Sequence, residues 1–330
     1  MRVSIGVKRT ALSVLLLGVG LSAQQSPPAP PAPDSPAVTA TIEAARKAAA
    51  PEFAEAVHFW CEAPRANRLD DPPITPTRIL DNVYAIGNSG TTVYVVRTTA
   101  GLLMIDALFA DQVDTQLLPG FRALGLDPEQ VKIVLVTHGH ADHFGGAPYF
   151  QEKFGSKVYV SPADWMLMEN PPPARGGRGP AGPPAAIPKH DADIVDGQKI
   201  TLGDLTVTPV AVPGHTPGSM AFIFPVKDRG ASHTAALFGG AWLTPNILSD
   251  QALATFAASV ARFRAQTSAA GVDTLLQNHM LMVPIQAKLD ELANRKAGDR
   301  NPFVVGTTAY QKFVGALDAC TNVNLARRKG

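Results

Sequence analysis

One stretch constrains this chain more than any other. The apolar run Val131 to Val136, broken only by Lys132, leads directly into Thr137-His138-Gly139-His140-Ala141-Asp142-His143-Phe144-Gly145-Gly146. Such a run predicts a strand central in a sheet. Placing three histidines and an aspartate at the end of a buried strand costs desolvation free energy that something must offset. Neutral imidazole is a leading zinc ligand, and a carboxylate supplies a hard oxygen. His138 and His140 lie two apart at a strand end, so their side chains can point the same way. Asp142 and His143 follow in the turn and can face a second, adjacent metal. Gly139, Gly145 and Gly146 allow the backbone to bend tightly there. Two more histidines stand in later loops, His215 within Pro213-Gly214-His215-Thr216-Pro217-Gly218-Ser219 and His279 after Leu275-Leu276-Gln277-Asn278. Each is a weak signal alone. Together they complete two three-ligand sets and use five of the chain's eight histidines. His58, His190 and His233 receive no role.

The rest of the chain alternates strand and helix patterns from about residue 78, which argues for a layered α/β domain. Strands are expected at 93–96, 102–105, 131–136, 158–160, 199–202, 205–211, 220–225 and 235–239, with a short one at Leu275-Leu276. Helices are expected at 111–124, 146–154, 162–169, 250–267, 285–296 and 308–327. Residues 171–188, PPPARGGRGPAGPPAAIP, break the pattern, since no helix or ladder survives that composition. This flexible Pro/Gly loop, with Arg175 and Arg178, reads either as a lid beside the site or as a surface insertion. Trp165, Met166 and Met168 before it read as pocket lining or as an apolar helix face, and Ser219 as a substrate contact or a turn residue.

Residues 1–23 carry a positive start (Arg2, Lys8, Arg9), an apolar run from Ala11 to Leu21 and small residues at its end. That is the pattern of a cleaved Sec-type signal peptide, with an uncleaved anchor as the alternative. The run is short for a span, which needs about 20 apolar residues. A periplasmic or secreted protein is expected, with no stable membrane insertion after cleavage. Residues 24–50 read as a Pro/Ala-rich linker and N-terminal extension, the 24–38 part as a polyproline-like spacer. The catalytic domain is expected over 51–330. Export leads to an oxidising compartment, where Cys61 and Cys320 either pair or remain as two buried thiols. Lys plus Arg (29) balance Asp plus Glu (28), leaving no electrostatic footprint for nucleic acid.

With these residues in view, the chain resembles the metallo-β-lactamase superfamily from about residue 78 to its end. The resemblance implies an αββα sandwich, two mixed β-sheets with helices on the outer faces. It implies two Zn2+ ions, the first on His138, His140 and His215, the second on Asp142, His143 and His279. Asp106, at the end of strand 102–105, matches the structural aspartate of the motif and would orient a ligand histidine. Glyoxalase II-like, lactonase and nuclease members carry a metal-bridging aspartate in a segment like L-F-x-G-D. Here that segment is Leu237-Phe238-Gly239-Gly240-Ala241, with neither that carboxylate nor the cysteine of another β-lactamase subclass. The remaining set is similar to class B, subclass 3 zinc β-lactamases, as is Asn301-Pro302-Phe303 before a long last helix. Relatives often place serine near position 241, so the alanine is a departure.

Together with the N-terminal pattern, which points to export, the resemblance implies a dinuclear zinc hydrolase opening the β-lactam amide of a small-molecule substrate through a zinc-bound hydroxide, with Asp142 as the catalytic carboxylate that also holds metal. The alternatives are a hydrolase of the same fold acting on another ester, thioester or lactone, and a non-catalytic metal-binding envelope protein.

Overall fold

The computed structural model describes residues 34–49, 51–62, 71–171, 185–243, 248–279 and 282–329. The segment read as a signal peptide, the part of the expected spacer up to residue 33, and Arg175 and Arg178 of the Pro/Gly segment lie outside the described residues.

Among the described residues the strands form two mixed sheets. The first has seven strands in chain order: β1 (Thr77–Arg78), β2 (Val83–Gly87), β3 (Thr92–Thr98), β4 (Gly101–Ile105), β5 (Val131–Leu135), β6 (Lys157–Val160) and β7 (Ala192–Asp193). Pairing is antiparallel from β1 to β4 and parallel from β4 to β7. The second runs β12 (Thr274–Leu275), β11 (Ala231–Leu237), β10 (Met220–Asp228), β9 (Leu205–Ala211) and β8 (Ile200–Leu202), with only the β11–β12 pair parallel. The helices are α1 (Pro36–Ala48), α2 (Ala54–Val57), α3 (Leu118–Ala123), α4 (Ala141–Phe144), α5 (Ala147–Phe154), α6 (Pro162–Glu169), α7 (Asp250–Ala269), α8 (Ile285–Ala293) and α9 (Thr307–Arg327).

The first sheet is buried on both faces, because its strands are apolar at odd and even positions alike. Tyr94, Val96, Leu103, Ile105 and Leu135 face the core shared with the second sheet, while Val93, Val95, Met104 and Val134 pack with Phe121, Phe150 and Trp165 of the helices outside. Phe222 and Phe224 of β10 share the first core with Phe256 and Phe263 of α7 and with Phe313 and Leu317 of α9. Helices thus cover the outer faces of two stacked sheets, the expected αββα sandwich.

Several elements differ from the sequence reading. The segment 111–124 is not one helix: a π-helical turn at Val113–Leu117 precedes α3. Pro119 has no N–H to continue an i→i−4 ladder, and the Leu118 N–H reaches back to the Val113 carbonyl instead. Strand β11 begins at Ala231, earlier than its apolar half suggests, because Arg229 (φ 50°) and Gly230 (φ 82°) close a two-residue hairpin. Both of their N–H groups donate to the Asp81 carboxylate, at 2.9 and 2.8 Å. Helix α1 starts at Pro36, inside the segment read as spacer. Ser35 caps it, and Pro36 occupies the first turn, where its missing N–H costs nothing. Val38, Ile42 and Ala45 of α1 are buried in the first core.

Cys61 and Cys320 are disulfide-bonded across 259 residues of sequence, with Cα atoms 4.8 Å apart. The bond fastens the helical segment Pro51–Glu62 to α9. Closing so long a loop removes conformations mainly from the unfolded chain, an effect worth about 2–5 kcal/mol. Replacing both cysteines by serine is expected to lower unfolding free energy by that order, read from urea titration, and added reductant should shift the wild type to the same midpoint.

Candidate metal centre

The strand ends that carry the histidines meet at one edge of the sandwich. Asp106 follows β4 with a positive φ of 62°, a strained value for a non-glycine residue. Its Oδ1 accepts the Thr137 N–H at 2.8 Å, and its Oδ2 accepts Nδ1–H of His143 at 2.7 Å and the Asn278 amide at 3.0 Å. One fully buried carboxylate thereby joins the ends of β4 and β5 to the loop after β12.

All six predicted donors are brought together. Nε2 of His143 lies 3.1 Å from Nε2 of His279 and 3.1 Å from Oδ2 of Asp142. Nε2 of His215 lies 3.1 Å from Nδ1 of His140. His138 stands between the sets, its ring centroid 3.9 Å from that of His143 and 4.7 Å from that of His215. The donor atoms of His138, His140 and His215 lie within 4.8 Å of one another, as do those of His138, His143 and His279. His140 is exposed and His215 half-buried, so the first set is at the mouth of the site and the second lies deeper.

Tautomers follow from the partners. Nδ1 of His279 faces the Gly90 carbonyl at 2.8 Å, and Nδ1 of His215 the Trp242 carbonyl at 2.9 Å. A carbonyl only accepts, so both Nδ1 atoms carry hydrogen and each neutral ring aims its Nε2 lone pair inward. Nε2 of His138 is buried with no hydrogen-bond partner among the described residues. Inward lone pairs about 3 Å apart repel unless a cation or a proton sits among them. Two nitrogens on one tetrahedral zinc are roughly 3.3 Å apart, so the set fits a metal ion.

The proton equilibria carry the same message. Burial, followed by the charges of the neighbouring imidazoles, holds His138 well below the usual imidazole range. Burial and the charge of His143 lower His279 to about 4. Burial opposes a charge on His143 too, but Asp142 and Asp106 outweigh it and raise that ring to about 10. Burial likewise disfavours the Asp142 carboxylate, yet His143 holds it well below its ordinary value. Without metal, the positive charge this pocket demands resides on His143.

Several contributing residues escaped the sequence reading. The Thr91 hydroxyl donates to Oδ2 of Asp142 at 3.1 Å, and Asn88 Oδ1 accepts the N–H groups of Gly90 and Thr91, shaping the loop that faces Asp142 and His279. Asn-Ser-Gly-Thr between two strands was the available signal, and it reads as an ordinary turn. Trp60 Nε1 donates to the Ala241 carbonyl at 2.9 Å, next to the Trp242 carbonyl that receives His215. The Trp242 ring packs edge-on against His279 at 4.8 Å and against Phe59 at 5.5 Å. The disulfide-tied segment 51–62 therefore supports the loop above both sets. Gly240 (φ 73°) is needed there, since a Cβ would fall 2.8 Å from His215. Asp164 of α6 accepts from Gly139 N, Gly218 N and the Thr216 hydroxyl. Ser219 is a turn residue: its buried hydroxyl accepts the Thr216 N–H at 3.1 Å. Trp165 and Met168 are core residues, while Met166 is 61% exposed.

Residues 86–229 match the profile of the Metallo-beta-lactamase superfamily. They form a metallo-beta-lactamase superfamily domain. The matched window holds Asp106, the 138–143 turn and His215, and stops before His279. BJP-1, a subclass B3 metallo-beta-lactamase of Bradyrhizobium japonicum, superposes with a TM-score of 0.64 at 28% identity over 78% of this chain and 96% of that one. An uncharacterized protein of Mycobacterium leprae, ML0493, is 33% identical over 138 residues, 37% of this chain and 63% of its own length. A hydroxyacylglutathione hydrolase of Acidiphilium cryptum is 33% identical over 105 residues, 32% of this chain and 35% of that protein. The chain thus spans less than two thirds of either curated relative.

Two outcomes are expected. In metal-free protein, His279 binds its proton less readily folded than unfolded, so stability is lost as pH falls from about 6.5 towards 4. His143 has the opposite shift, so its contribution is complete below about 6.5 and is lost as pH rises through about 10. Thermal unfolding of chelator-treated protein should therefore show maximal Tm near neutral pH, with the alkaline limb flattened in H143Q. Separately, W60F removes the donor to a buried carbonyl and should cost about 1–3 kcal/mol in urea unfolding.

Proposed function

We propose that this chain is an exported dinuclear zinc hydrolase that opens the β-lactam amide. The observation that carries the reading is the convergence of His138, His140 and His215 beside Asp142, His143 and His279, with tautomers set so that the Nε2 lone pairs of His215 and His279 turn inward. A bound zinc pair would supply Lewis acidity and a nucleophile available at neutral pH. The protein's part is positional. Asp106 fixes the ring of His143, Gly90 that of His279 and Trp242 that of His215. Asp142, ionised under the influence of His143, orients the attacking water by accepting its hydrogen bond. The exposed edge of His140 leaves the first set open to a substrate carbonyl.

The choice of substrate rests on position 241 and on the likeness to BJP-1. Ala241 is fully buried and offers no carboxylate, and the Asp106 and Asp164 carboxylates are engaged in hydrogen bonds to loop and strand-end groups. A second set of Asp142, His143 and His279 without a bridging aspartate fits the subclass 3 β-lactamases better than thioester or lactone hydrolases. The hydroxyacylglutathione hydrolase likeness keeps thioester cleavage as the second reading. Export draws support from the N-terminal pattern and from the Cys61–Cys320 bond, which suits an oxidising compartment.

Purified protein reconstituted with zinc should hydrolyse a penicillin, cephalosporin or carbapenem faster than a glutathione thioester or an acyl lactone, read by absorbance on one panel. Thioester turnover exceeding every β-lactam would overturn the substrate assignment and leave the metal centre standing. D142A should lose about 10²-fold or more of the activity, with metal content measured on the same sample. Full activity in D142A would remove that residue from the mechanism.

A further inference from the structure

The two donor sets are braced mainly by different residues, with one link between them: Asp106 also reaches Nδ1 of His138 through the Thr137 hydroxyl. The second is braced by Asp106, Asn278, Gly90 and Thr91. The first has a separate brace at the start of α6. Asp164 there is fully buried. Its Oδ2 accepts the N–H of Gly139 at 2.7 Å and the hydroxyl of Thr216 at 2.7 Å, and its Oδ1 accepts the N–H of Gly218 at 2.8 Å. Gly139 lies between His138 and His140, and Thr216 adjoins His215. One carboxylate thus ties together the two loops that supply all three donors of the first set.

The fit leaves little room for adjustment. Ser161, the cap of α6, donates its hydroxyl to the Gly218 carbonyl at 2.7 Å. A Cβ on Gly218 would fall 2.0 Å from that hydroxyl, and a Cβ on Gly139 would fall 3.2 Å from the Asp164 carbonyl oxygen. Gly218 therefore has no room for a side chain where its loop meets α6, and Gly139 approaches α6 tightly. An ionised carboxylate is acceptor-only, which matches three converging donors. Asparagine at 164 would turn an NH2 group towards at least one N–H or O–H donor and break that contact.

We infer that Asp164 is a positioning residue that sets the first donor set, His138, His140 and His215, independently of the second. This inference rests on the metal-centre reading above. It predicts that the two ions respond separately to substitution. Partners that orient ligands from behind typically change metal affinity by about 10–100-fold.

The test uses the full chain, stripped of metal and titrated with zinc against a chromophoric chelator, with ions counted by native mass spectrometry and the Co(II) absorption spectrum recorded alongside. Wild type is expected to take two ions. D164N should retain one at wild-type affinity and bind the other about 10–100-fold more weakly, with its Co(II) spectrum reduced to a single component. D106N should weaken the opposite ion more than the first, because Asp106 bonds His143 directly and reaches His138 only through Thr137. T216V, which deletes only one donor to Asp164, should shift the same ion as D164N by a smaller factor, and it carries the test should D164N fail to fold. Equal weakening of both ions in D164N or T216V, or no weakening of either, overturns the inference while wild-type uptake of two ions keeps the metal centre. Failure of the wild type to take up any ion overturns both.

Discussion

The carboxylate of Asp106 is the interaction on which the centre depends. It sits in a strained backbone conformation at the end of β4 and receives the Thr137 N–H, the His143 ring and the Asn278 amide. A buried charge is tolerable only when its lone pairs are filled, and here the groups that fill them come from the segments after two other strands, β5 and β12. The same bonds that satisfy the aspartate fix where His143 points. The polar network that closes the edge of the sandwich thus also orients a candidate metal donor.

Around that point the pocket is built to want positive charge. Burial keeps His138 and His279 neutral, and carbonyl acceptors turn the lone pairs of His215 and His279 inward. His143, flanked by Asp142 and Asp106, is the one ring in the cluster pushed upward to about 10. A metal ion held by this set would compete with a proton for the same position. The supports come from distant segments: Trp60 from the N-terminal side, Asp164 from α6, Gly90 from the β2–β3 turn. Loops ordinarily carry function by being placed on rigid elements, and here each donor loop has at least one buried hydrogen bond to an element outside it.

Much of this was legible in the chain. The strand 131–136 and its ligand-type residues stood out because burying them without a purpose is costly, and the helices expected at 146–154 and 162–169 are found at Ala147–Phe154 and Pro162–Glu169. Other features were not legible. The hairpin at Arg229-Gly230 carries arginine where glycine or asparagine usually announces such a turn. The helical stretch 113–123 shifts register because of a single proline. Asp164 and Trp60 are ordinary helical residues in sequence, and nothing local shows that their partners lie in loops 25 to 181 residues away.

By itself, the order of residues determined which side chains could bind metal and that the chain would layer strands with helices, since ligand chemistry and hydrophobic periodicity are local properties. Whether Cys61 meets Cys320, which ring nitrogen carries the hydrogen, and what braces each donor loop were decided only by the tertiary structure. Those outcomes depend on which distant groups are buried against one another, and burial is set by the packing of the whole sandwich.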